Sequence, residues 1–121
     1  MRTELTGELR DDARLRQILN QRHVRMVYGN YVWVYHVNFD TRERVAGVPS
    51  TPVVDYLRYG DALGTAPVRW AALGNPQEIA AWSRAAEARG RVSPYRDLFL
   101  FIADRPAPNA AALLTRLRSN R

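Results

Sequence analysis

The 121-residue chain reads as one α/β domain: a mixed sheet of four or five strands with helices packed on it, in the order α-β-β-(β)-α-β-α-β-α. An α+β arrangement is the other form that this order allows. Three observations predict the class. Apolar residues make up 46% of the chain and charged residues 25%, with no block of like charge, which is the composition of a folded domain. The apolar pattern switches repeatedly between the helical and the extended period. Proline, glycine and asparagine fall at the switches. A chain of this length suits a single core, so residues 1–121 are expected to form one unit, with fraying at 1–7 and 119–121.

Residues 8–21, ELRDDARLRQILNQ, set Leu15, Ile18 and Leu19 at i, i+3 and i+4 among charged neighbours, which predicts an amphipathic first helix. Val24 to Tyr28 and Tyr31 to Phe39 then read as two strands. Gly29-Asn30 between them tolerates the positive φ angles of a tight hairpin turn. Arg44 to Val48 supplies a third short strand, so that the region is expected to form a meander. Thr51-Pro52 is an N-cap followed by proline at the first helical position, and Val53, Val54 and Leu57 give that helix an apolar side before Gly60 and Gly64.

Pro67 to Leu73 reads as the next strand. Asn75-Pro76-Gln77-Glu78 opens a helix in the manner of a capping box, with Ile79, Trp82 and Ala86 on one face and Gly90 expected just past its end. Asp97 to Ala103 is a continuous apolar run, as a strand covered on both faces should be, and Asp97 at its start and Asp104 just past its end act as charge gates for an aggregation-prone segment. The last helix begins near Asn109, with Leu113, Leu114 and Leu117 inward and Arg116, Arg118 and Arg121 outward. Because helices join the later strands, those strands are expected to run parallel.

The α-β-β-β-α-β beginning is also the core order of restriction-nuclease-like folds. Their sites need two carboxylates and a lysine, and this chain has no lysine at all. Asp40, Glu43 and Arg44 have the wrong spacing to replace them, so the likeness concerns fold alone.

The most aromatic segment is YVWVYHVNF, residues 31 to 39. As a strand it would place Tyr31, Trp33, Tyr35 and Phe39 on one face and Val32, Val34, His36 and Asn38 on the other. Packing beneath a helix is the commoner use of such a face. The functional use is a stacking platform for unpaired bases, with Arg22, Arg25, Arg42 and Arg44 beside it for the phosphates. That logic resembles an RNA-recognition sheet, although the glycine-aromatic signature and strand order of that family are missing.

The formal net charge is +6, and all 18 basic residues are arginine. A GC-rich coding bias explains arginine in place of lysine but not the excess of positive charge. Guanidinium forks bind phosphate and carboxylate bidentately and stack on bases.

No catalytic residue is assigned. A ribonuclease would need a base, an acid and a cation at the phosphate, roles that His36, Tyr35 or Tyr59, and Arg42 or Arg44 could fill. A mid-strand histidine beside Asn38 is more often a rim residue. No phosphate loop, nucleophile motif or HExxH is present, and no metal or cofactor is assigned. Cysteine is absent, which removes disulfides and thiolate metal ligands.

No apolar run has the length of a membrane-spanning helix, and the first residues are too polar for a secretory signal, so the expected location is the cytoplasm. The sequence therefore predicts a small basic non-enzymatic protein that binds an anionic partner, nucleic acid first. An inhibitor or adaptor that docks on an acidic protein is second, and a small ribonuclease toxin using His36 is third. Oligomeric state is not legible.

Overall fold

The computed structural model describes residues 13–30, 34, 45–50 and 63–119. Five strands form one mixed sheet: β1 (Met26–Gly29), β2 (Ala46–Pro49), β3 (Trp70–Gly74), β4 (Gly90–Tyr95) and β5 (Leu98–Ala103). Their spatial order is β2-β1-β3-β5-β4. Strand β1 pairs parallel with both β2 and β3, while β5 runs antiparallel to β3 and to β4. Three described helices accompany the sheet: α1 (13–21), α2 (Pro76–Ala85) and α3 (Ala110–Ser119).

Side chains alternate across the sheet, and each face is apolar. Met26, Tyr28, Val48, Trp70, Ala72 and Phe101 meet Ile79 and Trp82 of α2 and Leu113, Leu114 and Leu117 of α3. The opposite face presents Val27, Ala71, Leu73 and Leu100 to Leu15 and Leu19 of α1 and to Val34. Aromatic contacts lock the first layer. Tyr28 meets Trp82 edge-on with centroids 5.1 Å apart, and Trp70 lies 5.5 Å from Phe101. Such pairs add about 0.5–1.5 kcal/mol beyond the area that they bury.

Helix α2 follows its expected form. Asn75 Oδ1 accepts from the Glu78 N–H at 2.8 Å and Glu78 Oε1 accepts from the Asn75 N–H at 3.0 Å, with Pro76 at the first helical position. Asn109 caps α3 by accepting from the Ala112 N–H at 3.0 Å.

Several expectations are corrected. The hairpin at Gly29-Asn30 and the meander do not form, because both edges of β1 are taken, one by β2 and the other by β3, each in parallel register. Val34 is helical and buried, its N–H donating to the Asn30 carbonyl at 3.0 Å, so the strand predicted from Tyr31 to Phe39 fails there. Gly29 is required for another reason. At φ +154°, a Cβ on it would lie 2.0 Å from the Leu73 carbonyl oxygen. That same oxygen accepts from the Asn30 N–H at 3.2 Å.

The later strands are not all parallel, because a polar edge strand, β4, forms a hairpin with β5 through Arg96-Asp97. Arg96 takes a φ of 55° at the first position of that turn, where glycine is usual. Gly90 does not end α2 but begins β4, and a Cβ there would meet the Ile102 carbonyl oxygen at 2.2 Å. Strand β3 begins at Trp70 rather than Pro67, with Val68 in an isolated bridge to Ala107. Arg118, expected outward, is only partly exposed, and its Nη2 is buried with no hydrogen-bond partner among the described residues. The helix expected after Thr51-Pro52 falls largely outside the described residues, as do residues 1–7.

Among the described residues no helix is long and apolar enough to cross a membrane.

Candidate nucleic-acid interface

Strand direction decides where the arginines gather. Arg25 immediately precedes β1 and Arg69 immediately precedes β3. The parallel register pairs Met26 with Trp70, so Arg25 and Arg69 are neighbours at the amino-terminal end of the sheet. The Arg25 N–H donates to the Arg69 carbonyl at 2.8 Å, and the Arg25 carbonyl accepts from the Ala46 N–H at 2.8 Å. Their backbones are fixed by these bonds while both residues are exposed.

Helix α1 brings further cations to the same end. It closes in a Schellman arrangement: the Val24 N–H donates to the Leu19 carbonyl at 2.9 Å and the His23 N–H to the Asn20 carbonyl at 3.2 Å. Leu19 and Val24, both buried, make the accompanying apolar contact. The left-handed position belongs to His23, at φ 56°, where glycine is the usual residue. Arg16, Gln17, Asn20, His23 and Arg25 supply the polar side of a cleft of about 460 Å³ between this helix end and the starts of β1 and β2. Every one of those five side chains can donate a hydrogen bond, and none is acidic. Arg22, also exposed, occupies the last turn beside His23.

On the other face of the sheet, α2 ends in the same manner. The Ala88 N–H donates to the Ser83 carbonyl at 2.9 Å, the Glu87 N–H to the Arg84 carbonyl at 3.1 Å, and Glu87 has φ 52°. The Asp104 N–H then donates to the Arg89 carbonyl at 2.9 Å, which holds the end of β5 beside the start of β4. The Val68–Ala107 bridge lays the segment after β5 against the approach to β3. Arg89, Arg105 and Arg116 thereby line one cleft, together with Trp70 at the start of β3.

The amino-terminal end of the sheet thus carries Arg16, Arg22, Arg25, Arg69, Arg89, Arg105 and Arg116, all exposed, with Glu87 and Asp104 as the described acids among them. No hydrogen bond or ion pair ties these seven guanidinium groups to another described residue. The opposite end includes Glu78, in the first turn of α2, and the Arg96-Asp97 turn. The polarity comes from connectivity: parallel strands start at one end, and α1 and α2 both finish there.

Of the residues singled out from sequence, Arg22 and Arg25 stand in this surface. Tyr31, Trp33, Tyr35, His36, Arg42 and Arg44, and Tyr59 with them, lie outside the described residues. Sequence reasoning missed the contribution of Arg16, His23, Arg69, Arg89 and Arg105. The available signal was an arginine directly before each of two apolar strands, which becomes one surface only when those strands are parallel. Among the described residues, no group of three or more His, Asp or Glu side chains is arranged to hold a metal ion.

Neither a family model, nor a curated protein, nor a solved structure matches this chain.

Proposed function

We propose that the protein is a non-enzymatic binding module that docks an anionic partner, nucleic acid, across the amino-terminal end of its sheet. The observation that carries this reading is the gathering of seven exposed arginines from both faces of the sheet onto one end. A phosphate backbone offers regularly spaced single charges, which such a surface can neutralise while counterions are released. The guanidinium forks add bidentate phosphate contacts and stacking on exposed bases. No described helix pairs with another across a short turn as a helix-turn-helix would, so duplex reading through the major groove is not the mode.

The test is a fluorescence-anisotropy titration of labelled single-stranded RNA, single-stranded DNA and duplex DNA at two salt concentrations, for the native protein and for Arg25→Ala/Arg69→Ala. Affinity should fall steeply with salt. The double variant should bind more weakly and lose about 0.7 to 0.9 of log-log salt slope for each phosphate contact removed. Unchanged affinity and slope in the double variant would remove these arginines from the interface. Absence of binding at low salt would leave an acidic protein surface as the partner.

A further inference from the structure

One cleft in the arginine end has a mixed lining. It encloses about 620 Å³ between the end of α2 and the first turns of α3. Glu87 and Arg89 stand on the α2 side and Arg116 on the α3 side, and the segment after β5 contributes Asp104 and Arg105. Pro106, Pro108 and Ala112 supply exposed apolar surface above the buried Trp70 and Leu113. A volume of a few hundred Å³ is that of a small-ligand pocket rather than of a groove for a helix or duplex.

The chemistry of the lining matches the three parts of a nucleotide. Apolar surface suits a base, carboxylates accept from sugar hydroxyls and exocyclic amines, and guanidinium forks take phosphate. The helix ends orient these parts. The negative end of α2, with Glu87, disfavours a phosphate on that side, and the positive end of α3 favours it on the other. The first amides of α3 are already engaged. The Ala110 N–H donates to the Ala66 carbonyl, the Ala111 N–H to the Gly64 carbonyl and the Ala112 N–H to Asn109 Oδ1, each at 3.0 Å. The anion must therefore be held by side chains: of the three exposed arginines of the cleft, Arg89 stands on the α2 side with Glu87, which leaves Arg105 and Arg116.

We infer that this cleft holds a single nucleotide unit, with its phosphate against Arg105 and Arg116 and its sugar and base toward Glu87, Asp104 and the apolar surface. The inference rests on the reading of the arginine end as a nucleic-acid surface and adds to it a site for one unit. A free mononucleotide and the 5′-phosphorylated end of a strand share the required chemistry.

Calorimetric titration with adenosine and uridine 5′-monophosphates, the two nucleosides and inorganic phosphate tests the site. Saturable binding of either monophosphate, at least tenfold tighter than its nucleoside or phosphate, is the expected result. Arg105→Ala/Arg116→Ala should lose it tenfold or more with an unchanged melting temperature, while Arg14→Ala/Arg91→Ala, which removes the same charge from exposed positions outside the cleft, stays within twofold of the native protein. Comparing a short strand with and without its 5′-phosphate separates the two sources. A preference for the phosphorylated strand that the Arg105/Arg116 variant abolishes identifies the strand end, and equal binding of both strands identifies the free nucleotide.

Monophosphates that bind no tighter than phosphate, or that lose affinity equally in both double variants, would overturn the site. Salt-dependent strand binding in that case leaves the broader module standing. Mononucleotide binding without strand binding would instead overturn the module and keep the site.

Discussion

His23 occupies a left-handed position that costs an L-residue about 1–2 kcal/mol, while glycine there would give up about 0.5–1 kcal/mol of chain entropy. His23→Gly should therefore raise stability by about 0.5–1 kcal/mol in urea unfolding, and His23→Val should lower it; a destabilised glycine variant would show that the imidazole makes a compensating contact. Gly29 is the opposite case. With a Cβ placed 2.0 Å from the Leu73 carbonyl oxygen, Gly29→Ala must push β1 from β3 and should cost about 3 kcal/mol or more, read as a lower denaturation midpoint. A near-native midpoint would mean that the two strands separate easily. The special status of Gly29 was legible in the dipeptide Gly-Asn, but its cause was not. A turn is a local event, whereas this constraint comes from a carbonyl on a distant strand.

Elements with local causes were the legible ones. Helix α2 has its start written in Asn75, Pro76 and Glu78 and its buried face in Ile79 and Trp82, and the structure keeps each. Asn75→Ala should remove one half of the capping box and cost about 1 kcal/mol of stability; no change in melting temperature would show that water or a neighbour replaces the cap. Strand β4 was hidden because Arg91, Val92, Ser93 and Pro94 are exposed, so no burial pattern marks it. Arg91 and Pro94 also suit an edge that should not pair with another chain. Missing that strand made β5 look like the end of a helical crossover and reversed its predicted direction. The alternation from Tyr31 onward misled at Val34 for a related reason: period-two patterning reports half-buried surface, and Val34 is buried in a helical conformation instead.

For the whole molecule, the sequence displays the amount of positive charge but not its placement. Arginines at positions 16, 22, 25, 69, 89, 105 and 116 are scattered along the chain. They become one surface only through a parallel register, an antiparallel return and two helices that finish at the same end. Arg22 and Arg25 were singled out as phosphate contacts beside an aromatic strand that fails at Val34, so they stand in this surface for a different reason, and the others needed the topology. This placement, rather than net charge, is what the proposed binding depends on, and the two are separable. Arg69 precedes β3 and Gln77, exposed, lies in the first turn of α2 beyond the other end of that strand, so Arg69→Gln and Gln77→Glu each remove one unit of charge from opposite ends of the sheet. The measurement to make is the salt-dependent anisotropy titration of a single-stranded oligonucleotide with the native protein and these two variants side by side. Arg69→Gln should weaken binding severalfold and flatten the salt slope by about 0.7, the value for one single-strand phosphate contact, while Gln77→Glu leaves the slope unchanged. Equal losses in the two variants would contradict an interface at the amino-terminal end and reduce the interaction to net charge.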